Sequence, residues 1–315
     1  MVMDVRARLA RLRLPVIAAP MFLVSGPDLV VACCKAGVVG SFPTPNVRTV
    51  EELDTWIAKI GQALGPEDAP WAMNLVTHST NKRLPLDLER VARARPPIVI
   101  TALGSPAPAV QAVHAYGGLV LADVNSLFYA RKAVDAGADG LVLVSAGAGG
   151  HTGHLSNLVF VEEVRRFFSG LVVLAGAIGS GRAVLAAQVL GADLAYVGTG
   201  FIAAEESLAE PAYKQMLVDS TADDLIVTKA FTGANASMLK PSILAQGLDP
   251  AEIATRTAKM NFTGLEGAEV KAWKGIWSAG QGVGAVTAIE PAAAIVDRLA
   301  REYAAAKAEA ARLLA

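Results

Sequence analysis

Residues 138–154 read ADGLVLVSAGAGGHTGH, a valine and leucine run that stops at Ser145 and passes directly into a glycine-dense loop carrying His151 and His154. An apolar run without polar alternation reads as a strand of a parallel sheet buried on both faces. The loop behind it lets backbone approach a flat ligand closely, and a histidine there can move a proton near neutral pH. The same rhythm recurs along the chain. Apolar runs at residues 15–20, 37–42, 71–76, 97–102, 118–123, 138–144, 171–176 and 192–198 alternate with stretches of helical spacing, such as 27–36, 50–64, 106–116, 126–136, 157–168 and 181–190. Eight alternations predict an α/β chain folded as a (β/α)8 TIM barrel, with an open doubly wound sheet as the alternative.

Composition bounds the partners. With 315 residues, 53% of them hydrophobic, the chain can bury a large core, and one barrel with an insertion accounts for its length. A net charge of −1 offers no footprint for nucleic acid or an anionic membrane, so the expected partner is a small molecule, neutral or singly charged. Cys33 and Cys34 are adjacent on a predicted helix, which suits neither a disulfide framework nor a metal site. Core packing, a cytoplasmic setting and no metal are expected. Arg6, Arg8, Arg11 and Arg13 precede an apolar run at 14–24 and imitate a secretory leader, but Pro15 and Pro20 interrupt the helix a leader forms. No apolar stretch reaches the roughly 20 charge-free residues of a membrane span.

After Gly198 the rhythm changes. Residues 206–270 are more polar, with helical patterns at 210–220 and 250–261 and a marked loop at 231–241. The chain is therefore divided into a barrel of residues 1–205 and 271–315 and an inserted, mainly helical subdomain of residues 206–270 that serves as a lid. It returns through the glycine-rich stretch 274–284 and ends in an alanine-rich helix over 291–314 that Pro291 is placed to start. That helix is expected outside the barrel as its eighth, or as a homodimer contact.

The chemistry of a barrel lies at the C-terminal ends of its strands. The seventh strand runs into GAIGSGR at 176–182 and the eighth into GTGF at 198–201. Paired glycine loops at these places suit a phosphate group, because backbone N–H groups and the start of the next helix converge on an anion without a cation. Arg182 reads better as a solvated helix residue than as a phosphate contact. The glycines at 147, 149 and 153 miss the dinucleotide fingerprint, whose third glycine would fall at 152, and no acidic residue follows at the expected distance.

Six motifs carry a resemblance: APM at 19–21, MNL at 73–75, GGHTG at 149–153, AGAIGSGR at 175–182, GTGF at 198–201 and GIWSAGQG at 275–282. In this order, over most of the chain, they resemble the nitronate monooxygenase family, formerly called 2-nitropropane dioxygenases. That group is similar to FMN-dependent NAD(P)H:quinone reductases and enoyl-acyl carrier protein reductases. The resemblance implies a barrel holding FMN, with its phosphate at Gly179, Gly198 and Thr199 and Gly176 lining the approach. It implies further that Asn74 contacts the cofactor, that Ala19 and Met21 lie by the flavin ring, and that Gly149 and Gly150 let backbone reach the ring. Gly280 and Gln281 would close over the cofactor or its substrate. His151 matches the family's active-site histidine, a general base or a donor to an anionic nitronate.

His154 reads as a helix cap or a second pocket histidine, His78 as a rim residue and His114 as an outer-helix residue. Two departures stand out. Some members have an arginine beside the H-x-G position or a lysine near the end of strand five, where this chain has Thr152 and Asp123. An inward carboxylate at 123 would repel an anionic substrate, so either it binds the ribityl hydroxyls or a group behind the site, or the substrate is not a simple nitronate. The expected activity is FMN-dependent oxidation of alkyl nitronates with O2 to a carbonyl compound and nitrite. The alternatives are an FMN-dependent NAD(P)H reductase of quinones or enoyl thioesters, and a flavin-free barrel that binds a phosphorylated metabolite.

Overall fold

The computed structural model describes residues 4–258 and 274–314. Eight short strands pair side by side: β1 (Val16–Ala18), β2 (Gly40–Pro43), β3 (Trp71–Val76), β4 (Ile98–Ala102), β5 (Leu119–Val124), β6 (Gly140–Val144), β7 (Leu171–Ala175) and β8 (Leu194–Val197). Each follows the next in parallel from β2 to β8, and β8 then pairs with β1. Between β1 and β2 the sheet closes through a bridge from Ile17 to Val39, where the Ala18 N–H donates to the Val39 carbonyl at 2.8 Å. The sheet is a barrel and not the open alternative, and each expected apolar run overlaps one of its strands.

The missing polar alternation has a structural cause. Ile98 and Ile100 of β4, Leu119 and Leu121 of β5, Val142 of β6 and Val173 of β7 fill the barrel interior. The residues between them, among them Val99, Val120, Leu141 and Leu174, pack outward against the helices. Successive side chains point to opposite faces, and here both faces are dry. At roughly 1.5–3 kcal/mol for each fully buried aliphatic side chain, these two layers supply much of the driving force for folding. The C-terminal helix (Ala292–Leu313) lies outside, where Ile295, Val296 and Leu299 join a cluster with Leu29 and Cys33 of helix Pro27–Ala36 and Val184 of helix Gly181–Val189. Cys34 packs instead with Val30 and Phe42, and both cysteines are buried free thiols. No helix among the described residues is long and apolar enough to cross a membrane.

The segment after β8 contains the helices Pro211–Val218, Lys240–Ala245 and Pro250–Thr255. The helical pattern expected over 250–261 thus ends at Thr255, and residues 259–273 lie outside the described residues. Between the first two helices runs a hairpin the sequence did not reveal. Strand Leu225–Thr228 pairs antiparallel with Ala236–Leu239, which in turn pairs with Gly150–His151 of the loop after β6. The inserted segment is therefore stitched to the glycine loop by backbone hydrogen bonds.

A buried lysine anchors the same segment at its other end. Lys214 Nζ donates to the carbonyls of Ala204, Glu205 and Ser207 at 2.7, 3.1 and 3.1 Å. Replacing Lys214 by Met leaves these carbonyls without their charged donor. The expected loss is about 2 kcal/mol, in the range for hydrogen bonds to a charged group, read from the urea midpoint. An unchanged midpoint would show that the ammonium does not hold this turn.

Candidate active site

Three stretches of backbone meet at the C-terminal mouth of the barrel: the loop after β6, the loop after β7 and the returning segment at 279–285. The Gly147 carbonyl accepts the Gln281 N–H at 2.9 Å and the Ala177 N–H at 3.2 Å. A Cβ on Gly149 would stand 2.7 Å from the Gly280 nitrogen, and one on Gly179 would stand 2.6 Å from the Gly282 carbonyl oxygen. Glycine is required at both places because backbone touches backbone. Gly176 has a φ of +121°, with the Ser145 hydroxyl 2.5 Å from where its Cβ would lie. Asn157 Nδ2 donates to the Gly176 carbonyl at 3.0 Å, and Ser145 Oγ rests against Asn157 Oδ1 and the Ala175 carbonyl.

The end of β8 is different. A Cβ on Gly198 would meet only the Ala19 Cβ and the Met21 side chain, at 3.6 Å and beyond, and one on Gly200 only Val197 Cγ1 at 3.9 Å. These are ordinary contacts, and both φ angles lie outside the left-handed region, so the protein's own packing does not demand glycine at 198 or 200. The short helix Thr199–Ile202 starts here; the Phe201 and Ile202 N–H groups donate to the Gly198 carbonyl at 2.8 and 3.2 Å, which leaves those of Thr199 and Gly200 without an acceptor inside the helix. Thr199 Oγ1 accepts the Gly280 N–H at 2.9 Å, which ties this turn to the returning segment. The start of helix Gly181–Val189 is already satisfied: the Gly181 N–H donates to Glu302 Oε2 at 2.8 Å and Ser180 Oγ accepts from Ala183. Arg182 pairs outside with Glu309.

His151 sits on the two-residue strand opposite Ala236, with Nε2 3.1 Å from Thr232 Oγ1 of the hairpin loop. Burial pushes its pKa below the ordinary 6.5, so the imidazole is neutral near neutral pH. His154 is exposed, and Ser156 caps the helix Asn157–Arg165 in its place. His78 Nδ1 lies 2.8 Å from Thr80 Oγ1 in the turn after β3, and His114 pairs with Asp139 outside the barrel at 2.8 Å. Asn74 is buried on β3 and donates to the Ile100 carbonyl at 3.2 Å. Met21 carries its loop on hydrogen bonds with Ser25 and Asn46, both 3.0 Å.

The structure thus joins Gly149, Gly280, Gln281 and Thr199 directly, sets Ala19 and Met21 beside Gly198, and places Gly150 and His151 under the hairpin. Asn74 belongs to the opposite side of the mouth. Thr232 and Ser237, whose Oγ donates to the Ala279 carbonyl at 2.7 Å, were not singled out from the sequence. Their partners lie 81 and 42 residues away, so no local pattern marks them. Tyr196 was missed because it reads as one more strand residue. Its hydroxyl and Asp123 Oδ1 are sealed from solvent and have no hydrogen-bond partner among the described residues.

A family model described as nitronate monooxygenase matches residues 66–302. The chain belongs to the nitronate monooxygenase family. Nitronate monooxygenases are oxidoreductases, and relatives lie across several bacteria. The nitronate monooxygenase of Paraburkholderia phytofirmans is 28% identical over 278 residues, covering 75% of this chain and 76% of its own. A Mycobacterium tuberculosis protein named as a monooxygenase is 30% identical over 221 residues, covering 65% of this chain and 59% of its own length, which is less than two thirds. A solved structure described as nitroalkane oxidase from Streptomyces ansochromogenes shares the fold, with a TM-score of 0.80, 24% identity and coverage of 96% of this chain and 99% of that one.

Proposed function

We propose that the barrel mouth binds FMN and that the protein oxidises alkyl nitronates with O2 to a carbonyl compound and nitrite. The observation that carries the reading, beside family membership, is the open cradle at Gly198 and Gly200, two glycines that nothing in the protein's own packing requires. A phosphate there meets the N–H groups of Thr199 and Gly200 at the start of helix Thr199–Ile202, ahead of those of Phe201 and Ile202, which donate to the Gly198 carbonyl. The residues present fit the cofactor. Gly179, Gly198 and Thr199 would hold the phosphate, with Gly176 lining the approach. Ala19, Met21, Asn74, Gly149 and Gly150 would surround the flavin, and Gly280 and Gln281 would close over it. FMN, when bound, supplies the electron chemistry between the nitronate and O2.

The protein's own groups do the rest. His151 is neutral, so it can take a proton from a carbon acid, and once protonated it holds a flat anion by charge. Thr232 fixes the ring at Nε2, and the hairpin that carries Thr232 keeps the histidine in a largely dry setting where that charge counts for more. The Gly147 to Gln281 contact holds the returning segment in place across the mouth.

The test is nitrite release coupled to oxygen uptake when the FMN-loaded protein is given an alkyl nitronate. Replacing His151 by Ala should leave FMN bound yet slow turnover by roughly 10²-fold, the size of lost acid–base help; near wild-type turnover would remove His151 from the chemistry. Replacing Gly198 by Ala should leave circular dichroism and melting unchanged while FMN content falls, because the added methyl makes only ordinary contacts with the protein but enters the cradle. A variant that keeps full FMN would contradict this placement of the phosphate.

A further inference from the structure

Asp123 on β5 and Tyr196 on β8 follow the two-residue period that turns Leu119 and Leu121, and Leu194, into the barrel. Each presents a sealed polar atom with nothing to bond to among the described residues, and the two atoms do not satisfy one another. A native interior rarely leaves two such atoms unmet, unless a ligand completes them. Asp123 stands beside Val142 on β6, and Tyr196 stands between Ala175 on β7 and Ile17 on β1 and packs against the apolar barrel interior. Tyr196 is the titratable group coupled to Asp123, and no other charge shifts the Asp123 carboxyl.

The chemistry of the pair follows from this surrounding. Burial raises the Asp123 carboxyl to about 7, and burial followed by the Asp123 charge raises the Tyr196 phenol well above its ordinary range. A phenol is an O–H donor, and so is a carboxylic acid in its protonated form. Two such donors whose oxygens are shut off from solvent stabilise negative charge on an oxygen, whereas an ionised carboxylate would repel it.

On the reading of the barrel mouth as the substrate site, we propose that protonated Asp123 and Tyr196 form an oxyanion-binding pair for the flat, two-oxygen head group of the substrate, so that an anionic substrate enters together with one proton. The acidic residue that seemed to oppose an anion becomes a donor to it. A ring carbonyl of the cofactor offers the same acceptor chemistry, and the measurement separates the two sources.

The probe is nitrate, a flat oxyanion, titrated calorimetrically into the FMN-loaded protein between about pH 5 and pH 9, with FMN content measured alongside. In the wild type, nitrate Kd should rise about tenfold per pH unit above the Asp123 midpoint, as binding of the protonated form requires. Asp123→Asn, whose amide donates without titrating, should bind nitrate within a few-fold of wild type and lose that dependence, leaving only the limb below pH 6.5 that His151 contributes. Tyr196→Phe should weaken nitrate about tenfold at every pH, with FMN content unchanged. The pair is overturned if Asp123→Asn keeps the wild-type profile, if the wild type binds no nitrate while loaded with FMN, or if the variants alter only FMN content, which would assign the donors to the cofactor. A wild type that takes up no FMN overturns instead the reading on which the pair rests.

Discussion

Backbone-to-backbone contact between three loops is the constraint on which the site depends. Where Gly149 meets Gly280 and Gly179 meets Gly282, a single methyl group on either side would overlap main-chain atoms. The returning segment can therefore lie flat against the loops after β6 and β7, and the Gly147 carbonyl then gathers N–H groups from both. From that contact follow the position of Gln281, the hydrogen bond from Gly280 to Thr199, and the covering of the mouth by chain that is distant in sequence. Larger residues would hold the segments apart.

Among the described residues, the groups brought together around this constraint carry little fixed charge. The imidazole of His151 is neutral by burial, Asp123 is lifted toward neutrality, and Arg182 is turned outward to Glu309. Among these groups, attraction for an anion comes from backbone N–H groups and O–H donors, which act more strongly away from water. On the proposed placement, the phosphate and the substrate head group would both be met by oriented dipoles.

The barrel was legible because every strand is buried on both faces, which writes itself as unbroken runs such as LVLV at 141–144. The loops stood out as candidate sites because glycine clusters follow those runs. What could not be read is which glycines the protein's own packing requires: Gly179 and Gly198 look alike in the sequence, and only the first has backbone pressed against it. The hairpin at 225–239 escaped because its strands are four residues long and one pairs with a two-residue strand some 85 positions earlier. Thr232 and Tyr196 carry no signal of their own, since a threonine in a loop and a tyrosine in a strand are common. Asp123 was noticed as a departure, but its meaning depends on burial that only the folded barrel provides.

The most direct measurement is an anaerobic absorbance trace of the purified protein mixed in parallel with an alkyl nitronate and with NAD(P)H. Bleaching of a bound flavin by the nitronate alone is the expected result. Bleaching by NAD(P)H alone would contradict it and move the activity to a reductase, and the absence of any flavin band would contradict the cofactor itself.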